Sequence, residues 1–193
     1  MARTLLAIYP HSARRYDEML SADGAVRPHW RQFFIHLDSV APEEMHQRLD
    51  FVDRRIQENG VTYNVYADPN GADRPWALDP LPLIIPPEEW AEVSAAVAQR
   101  ATLLNAMLAD LYGEQKLLAE GLLPPSLVYG QHGYLWPCQG VKPAGGVWLH
   151  NYAVDLARSP DGRWWVIADR TQAPSGAGYA LENRLIVSRV FPE

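Results

Sequence analysis

The stretch Val154-Asp155-Leu156-Ala157-Arg158-Ser159-Pro160-Asp161-Gly162-Arg163-Trp164-Trp165-Val166-Ile167-Ala168-Asp169 decides how this chain is read. Pro-Asp-Gly is turn chemistry: proline presets φ, aspartate bonds nearby backbone, and glycine accepts a positive φ. Apolar, β-branched and aromatic residues flank the turn on both sides. The segment predicts a β-hairpin with an outgoing strand over 147–156 and a returning strand over 164–169. Pairing across the 159–163 turn should bring Asp155 and Asp169 back to one end as near cross-strand neighbours. Two opposed carboxylates repel and weaken a sheet. A divalent cation removes that repulsion, since Mg2+ takes one or two carboxylates plus substrate phosphates. Thr171, two residues past Asp169, would point to the same face and add an oxygen ligand. The competing reading is structural, with Asp155 in an ion pair with Arg158 or Arg170.

Beyond the hairpin, Asp169-Arg170-Thr171-Gln172-Ala173-Pro174-Ser175-Gly176-Ala177-Gly178 leads into a helix expected over 179–190. Small residues and open backbone N–H groups at a helix start favour an anion, which makes Gly178 and Tyr179 candidate binding residues. Arg170 and Arg184 are candidate clamps for carboxylate or phosphate. An ordinary strand-to-helix connection is the bland alternative. Other motifs fail on inspection. Leu181 stands where the third glycine of a dinucleotide fingerprint belongs, and no Lys-Ser/Thr follows a glycine loop. Ser175 lacks the Gly-x-Ser-x-Gly elbow of a hydrolase, because Ala173 holds the first position. The six histidines form no metal-ligand pattern.

Toward the N-terminus, Arg14–Leu20 and Pro28–Leu37 read as short helices. Pro42-Glu43-Glu44 opens an amphipathic helix with Met45, Leu49, Val52 and Ile56 at helical spacing, and Asn59-Gly60 stops it. Val61–Tyr66 reads as a strand. Asn59 and Asn64, at that polar junction, could bond a substrate or simply cap and turn. Leu83–Ile85 reads as a short buried strand. Pro86-Pro87-Glu88-Glu89 opens the longest helix, whose stripe is Trp90, Val93, Val97, Ala101, Leu104, Leu108 and Leu111. A shorter helix follows over 114–120, then strand-like runs at 127–129 and 134–136.

The chain has 193 residues, with 17 Lys+Arg, 23 Asp+Glu and a formal net charge of −6. Such a balance argues against a protein built to grip nucleic acid. Hydrophobic residues at 48% and charged residues at 21% are ordinary globular composition. The single cysteine, Cys138, excludes an internal disulfide framework. No apolar run approaches a membrane span and no signal peptide is evident, so a cytoplasmic location is expected. The end, SRVFPE, suggests a cut within a larger enzyme. An apolar surface left by such a cut could pair two copies as a homodimer.

Three strings carry a family resemblance: GVTYNVYADPNGADRPWALDPLPLII (60–85), RATLLNAMLADLYGEQKLL (100–118) and DLARSPDGRWWVIADRTQAPSGAGYALENR (155–184). They resemble the circularly permuted, glutathionylspermidine-synthase-like ATP-grasp proteins of bacteria. The resemblance implies an α+β fold: N-terminal helices, a mixed β-sheet, and a C-terminal β-hairpin plus helix of a partial ATP-grasp domain. It implies a substrate-side region over 1–125 and a metal-binding half over 126–193. It implies ATP-dependent joining of a small-molecule or peptide carboxylate to an amine, through an acyl phosphate, with Mg2+ and ATP. By that match Asp155 and Asp169 would hold Mg2+, with Thr171 where the family has Asn. Arg170, Ser175 and Gly176 would be the catalytic residues placing the acyl donor. Glu182, Asn183 and Arg184 match a family string and count as substrate-binding candidates. A non-catalytic peptide- or partner-binding domain on the same fold is the alternative.

Overall fold

The structure is a computed structural model and describes residues 6, 9, 14–63 and 74–192. The described helices are α1 (Pro28–Ser39), α2 (Pro42–Glu58), α3 (Pro87–Leu111), α4 (Lys116–Ala119), α5 (Pro125–Tyr129) and α6 (Ala177–Val190). The strands are β1 (Thr62–Tyr63), β2 (Arg74–Pro75), β3 (Ala153–Arg158) and β4 (Trp164–Arg170), forming the antiparallel pairs β1–β2 and β3–β4. The class is α+β, as the sequence implies. The chain forms two compact units, each discontinuous in sequence. One comprises Met1–Pro86, Ser159–Gly162 and Ser175–Glu193, the other Pro87–Arg158 and Arg163–Pro174.

In the first unit, α1 and α2 both open on proline, whose preset φ suits a first turn and whose missing N–H is not needed there. Trp30, Phe34 and Leu37 recur at helical spacing on α1 and are buried, with Met19, Val26, Phe33, Met45 and Ile84 packed around them. A second cluster joins Val52 and Ile56 of α2 to Ile186 and Val190 of α6. Arg48 Nη1 donates to the Val190 carbonyl at 2.6 Å, meeting the negative end of α6.

The second unit is built on α3. Glu88 and Glu89 lie in its first turn, and Val93 is its buried residue. Most of the expected stripe is half-buried, but Trp90 is 56% exposed. Tyr112 stacks between Tyr134 and Trp148, at ring-centroid distances of 5.0 and 4.8 Å. Asp110 caps α4 by accepting from the N–H groups of Lys116 and Leu117 at 2.9 and 3.0 Å.

Several expected elements differ. Residues 14–20 form turns, because Asp17 accepts from the N–H of Met19 and Leu20 at 2.9 and 2.8 Å and so competes with helix bonding. Residues 83–85 join no strand, and Leu83 is exposed. Residues 127–129 are helical because Pro125 starts a turn there, and a three-residue apolar run has no period of its own. Trp136–Cys138 is a 3-10 turn. β3 begins only at Ala153, since Asn105 Oδ1 accepts from the N–H of Trp148 and Leu149 at 2.8 and 3.0 Å and occupies those donors. Residues 64–66 of the expected first strand lie outside the described residues.

Candidate functional site

The register of the hairpin settles which residues share a face. Val154 opposes Asp169 and Asp155 opposes Ala168, then a bulge between Asp155 and Leu156 shifts the remaining pairs, with Leu156 opposite Val166 and Arg158 opposite Trp164. Directly opposed residues point the same way and neighbours in sequence point opposite ways. Asp155 and Asp169 therefore lie on opposite faces. The expected cross-strand pair misses by one residue, and a one-residue offset exchanges faces.

The inner face carries Tyr152, Val154, Leu156, Arg158, Trp164, Val166 and Asp169, all half-buried, and it looks onto α3. Two polar clamps fix it there. At one end Trp164 Nε1 donates to Glu89 Oε1 at 2.6 Å, Arg158 pairs with the same carboxylate, and the Arg158 guanidinium lies 4.0 Å over the Trp164 ring. Arg158 is 8% exposed, so a nearly buried charge is paired there. At the other end Arg100 of α3 grips Asp169 with both arms of its fork, Nε to Oδ1 at 2.6 Å and Nη2 to Oδ2 at 2.7 Å. The Tyr152 hydroxyl donates to Asp169 Oδ1, also at 2.6 Å. Arg100 first and Tyr152 second hold the Asp169 carboxyl at about 2, below the usual carboxylate range. Arg100 is shifted up by the same contact, and the Tyr152 hydroxyl is raised by burial and then by donating to Asp169.

The outer face carries Asp155, Ala157, Trp165, Ala168 and Arg170, and it is mostly open to solvent. Arg170 Nε and Nη2 donate to Asp155 Oδ2 at 3.0 and 2.8 Å. This is the structural pairing weighed from the sequence, and as an exposed ion pair it contributes at most about 1 kcal/mol. Each acid is thus engaged by its own arginine. Among the described residues no three His, Cys, Asp or Glu side chains gather into a metal site. Asp155 and Asp169 do not fit one shared ion in this arrangement. Thr171 lies exposed just beyond β4.

Four of the expected substrate-binding residues come together in the first unit. Asn59 Nδ2 donates to Glu182 Oε1, Trp76 Nε1 donates to Asn183 Oδ1 at 3.0 Å, and the Tyr179 hydroxyl donates to the Thr62 carbonyl at 2.7 Å. The Trp76 and Tyr179 rings lie 4.5 Å apart. These contacts tie the N-terminal half of α6 to the end of α2 and to β1. Gly178 and Arg184 are exposed, and Asn64 lies outside the described residues. Ser175 and Gly176 precede α6; Gly176 holds its cap position at φ 105°, with no side-chain cap. Arg170, expected to act with them, belongs to the second unit.

Sequence reasoning missed Arg100, Tyr152 and Glu89. A signal was present: Glu89, Val93, Ala96 and Arg100 recur at helical spacing, so two charges flank the buried valine on one face of α3. Tyr152, Val154, Leu156 and Arg158 likewise alternate along one strand face.

Residues 82–193 match the family described as circularly permuted ATP-grasp type 2. An uncharacterized protein of Synechocystis sp. is 36% identical over 178 residues, covering 92% of this chain and 37% of its own length. An uncharacterized protein of Mycobacterium tuberculosis is 38% identical over 186 residues, covering 92% of this chain and 21% of its own length. One from Mycobacterium leprae is 31% identical over 177 residues, covering 92% and 31%. The chain spans between a fifth and two-fifths of these relatives. No helix among the described residues is long and apolar enough to cross a membrane.

Proposed function

Because the chain belongs to the circularly permuted ATP-grasp type 2 family, we propose that it forms part of an ATP-dependent ligase joining a carboxylate to an amine. The observation that carries this reading is the family match over 82–193, which contains the hairpin, its clamps and the loop into α6. In the proposed reaction a carboxylate oxygen attacks the γ-phosphorus of ATP, the bond to the bridging oxygen breaks, and ADP leaves. The amine then attacks the acyl carbon, phosphate departs, and the nitrogen loses a proton. The family generally uses Mg2+ with ATP. Asp155 and Asp169 of this chain do not fit one ion together, so no step is assigned to a metal held by that pair.

In this reading the chain contributes positioning. The contacts of Asn59, Tyr179, Glu182 and Asn183 fix the first half of α6, so that Ser175, Gly176 and Gly178 present backbone N–H groups to an acyl donor. Arg184 is exposed on the same helix and can take a substrate anion. The substrates are small-molecule or peptide acids and amines, and a cytoplasmic homodimer is part of the proposal.

The test is ATP turnover in the longest polypeptide that carries this sequence, with carboxylates and amines supplied together and separately. ADP and phosphate released only when both are present support the reading. ATP hydrolysis indifferent to both overturns it. One observation favours a second reading, a non-catalytic binding domain: the two acids lie on opposite faces. That reading expects peptide carboxylates to bind with unchanged affinity whether or not ATP is present.

A further inference from the structure

The two polar clamps stand at opposite ends of a gap. Glu89 and Arg100 are separated on α3 by a rise of roughly 16 Å. Between them, α3 and the inner hairpin face enclose a cleft of about 580 Å3, lined by Val93, Val97, Leu103, Leu156, Trp164 and Val166, with Arg100 as the only charged lining residue among those described. Small-molecule sites usually span roughly 300–1,000 Å3 and combine apolar walls with a few fixed polar groups. This cleft has both features, and the ligase reading places no ligand in it.

We propose that the cleft is a binding site for a carboxylate with an apolar tail, and that Arg100 receives the carboxylate. The ion pair with Asp169 uses the Nε and Nη2 sides of the guanidinium and leaves the Nη1 end outside that contact. Arg100 is 44% exposed, so that end is within reach of a ligand. An arginine already pinned by a carboxylate loses little freedom when a second anion arrives, which is the usual benefit of preorganisation. The lining sets the direction. Arg100 is its charged residue, while Trp164 and Leu156 toward the opposite clamp accept hydrocarbon, Glu89 and Arg158 there being paired with each other outside the lining. The carboxylate therefore sits at Arg100, and the tail runs along Val97 and Val93 toward Trp164. Asp169 and Tyr152 are positioning residues for Arg100 in this account.

The experiment is calorimetry on the 193-residue chain without nucleotide, using hexanoate, octanoate and the primary amide of each. Saturable binding is expected for both acids, with octanoate roughly tenfold tighter, as two more buried methylenes imply. Each amide should bind at least tenfold more weakly than its acid. Arg100→Gln should lower octanoate affinity at least tenfold and leave the amide unchanged, whereas Val97→Phe should weaken both by filling the cleft. Absence of saturable octanoate binding overturns the proposal, as does an amide that binds as well as its acid in the unaltered protein. Affinity within twofold for a folded Arg100→Gln, judged by circular dichroism, overturns it as well. The measurement uses no ATP, so its failure and that of the ligase reading are separately visible.

Discussion

Asp169 has three hydrogen bonds from two partners, and that local chemistry has a pH signature. Its folded-state pKa is depressed to about 2, against about 3.9 in an unfolded chain. A depressed acid adds stability that is fully present above its unfolded value and is lost as pH falls through the folded one. Urea unfolding between pH 4 and 2 should therefore show the native protein losing stability more steeply than Asp169→Asn. Equal slopes would remove the clamp from the account. A second residue, Ala173, holds φ 44° directly before Pro174, in a region that favours glycine. Ala173→Gly should raise stability by about 1 kcal/mol, read as a higher unfolding midpoint. A lower midpoint would show that Ala173 is unstrained. Neither feature was visible beforehand, because no short-range pattern reports a residue 69 positions away or a single backbone angle.

At the scale of elements, the hairpin was legible and its register was not. Turn chemistry and alternating apolar residues located both strands, while the bulge after Asp155 displaced the pairing by one and sent the two acids to opposite faces. A bulge depends on what packs against the strands, here the α3 clamps, and no local rule encodes it. The helices α2 and α3 were readable from their starts and spacing, since proline and acidic first turns act locally. Two predictions belong here. Glu89→Ala removes a carboxylate partner of the nearly buried Arg158 and an acceptor for Trp164, and should cost about 2 kcal/mol in urea unfolding. A loss below 0.5 kcal/mol would show that this clamp is not structural. Gly162, at the hairpin tip, has φ +87°, and a Cβ there would lie 2.8 Å from Tyr16 Cε2. Gly162→Ala should cost about 2 kcal/mol, seen as a lower thermal midpoint. An unchanged midpoint would place Tyr16 elsewhere.

For the molecule as a whole, the family could be reached from the sequence because long strings carry it, and the match over 82–193 bears that out. The site was only partly legible. Asn59 bonds Glu182, while Asn183 and Tyr179 bond Trp76 and the Thr62 carbonyl, contacts that anchor α6; Arg100 and Tyr152 emerged only from packing. Trp165 on the outer hairpin face and Ile167 at the bulge are 53% and 66% exposed, an apolar surface of the kind that partners cover. The central claim is that a polypeptide carrying this chain activates a carboxylate with ATP. Its most direct test is hydroxylamine trapping of the acyl phosphate, with hydroxamate and ADP measured together over a panel of carboxylates. The account predicts hydroxamate formed in step with ADP for at least one carboxylate. ADP formed without hydroxamate over the whole panel would contradict it.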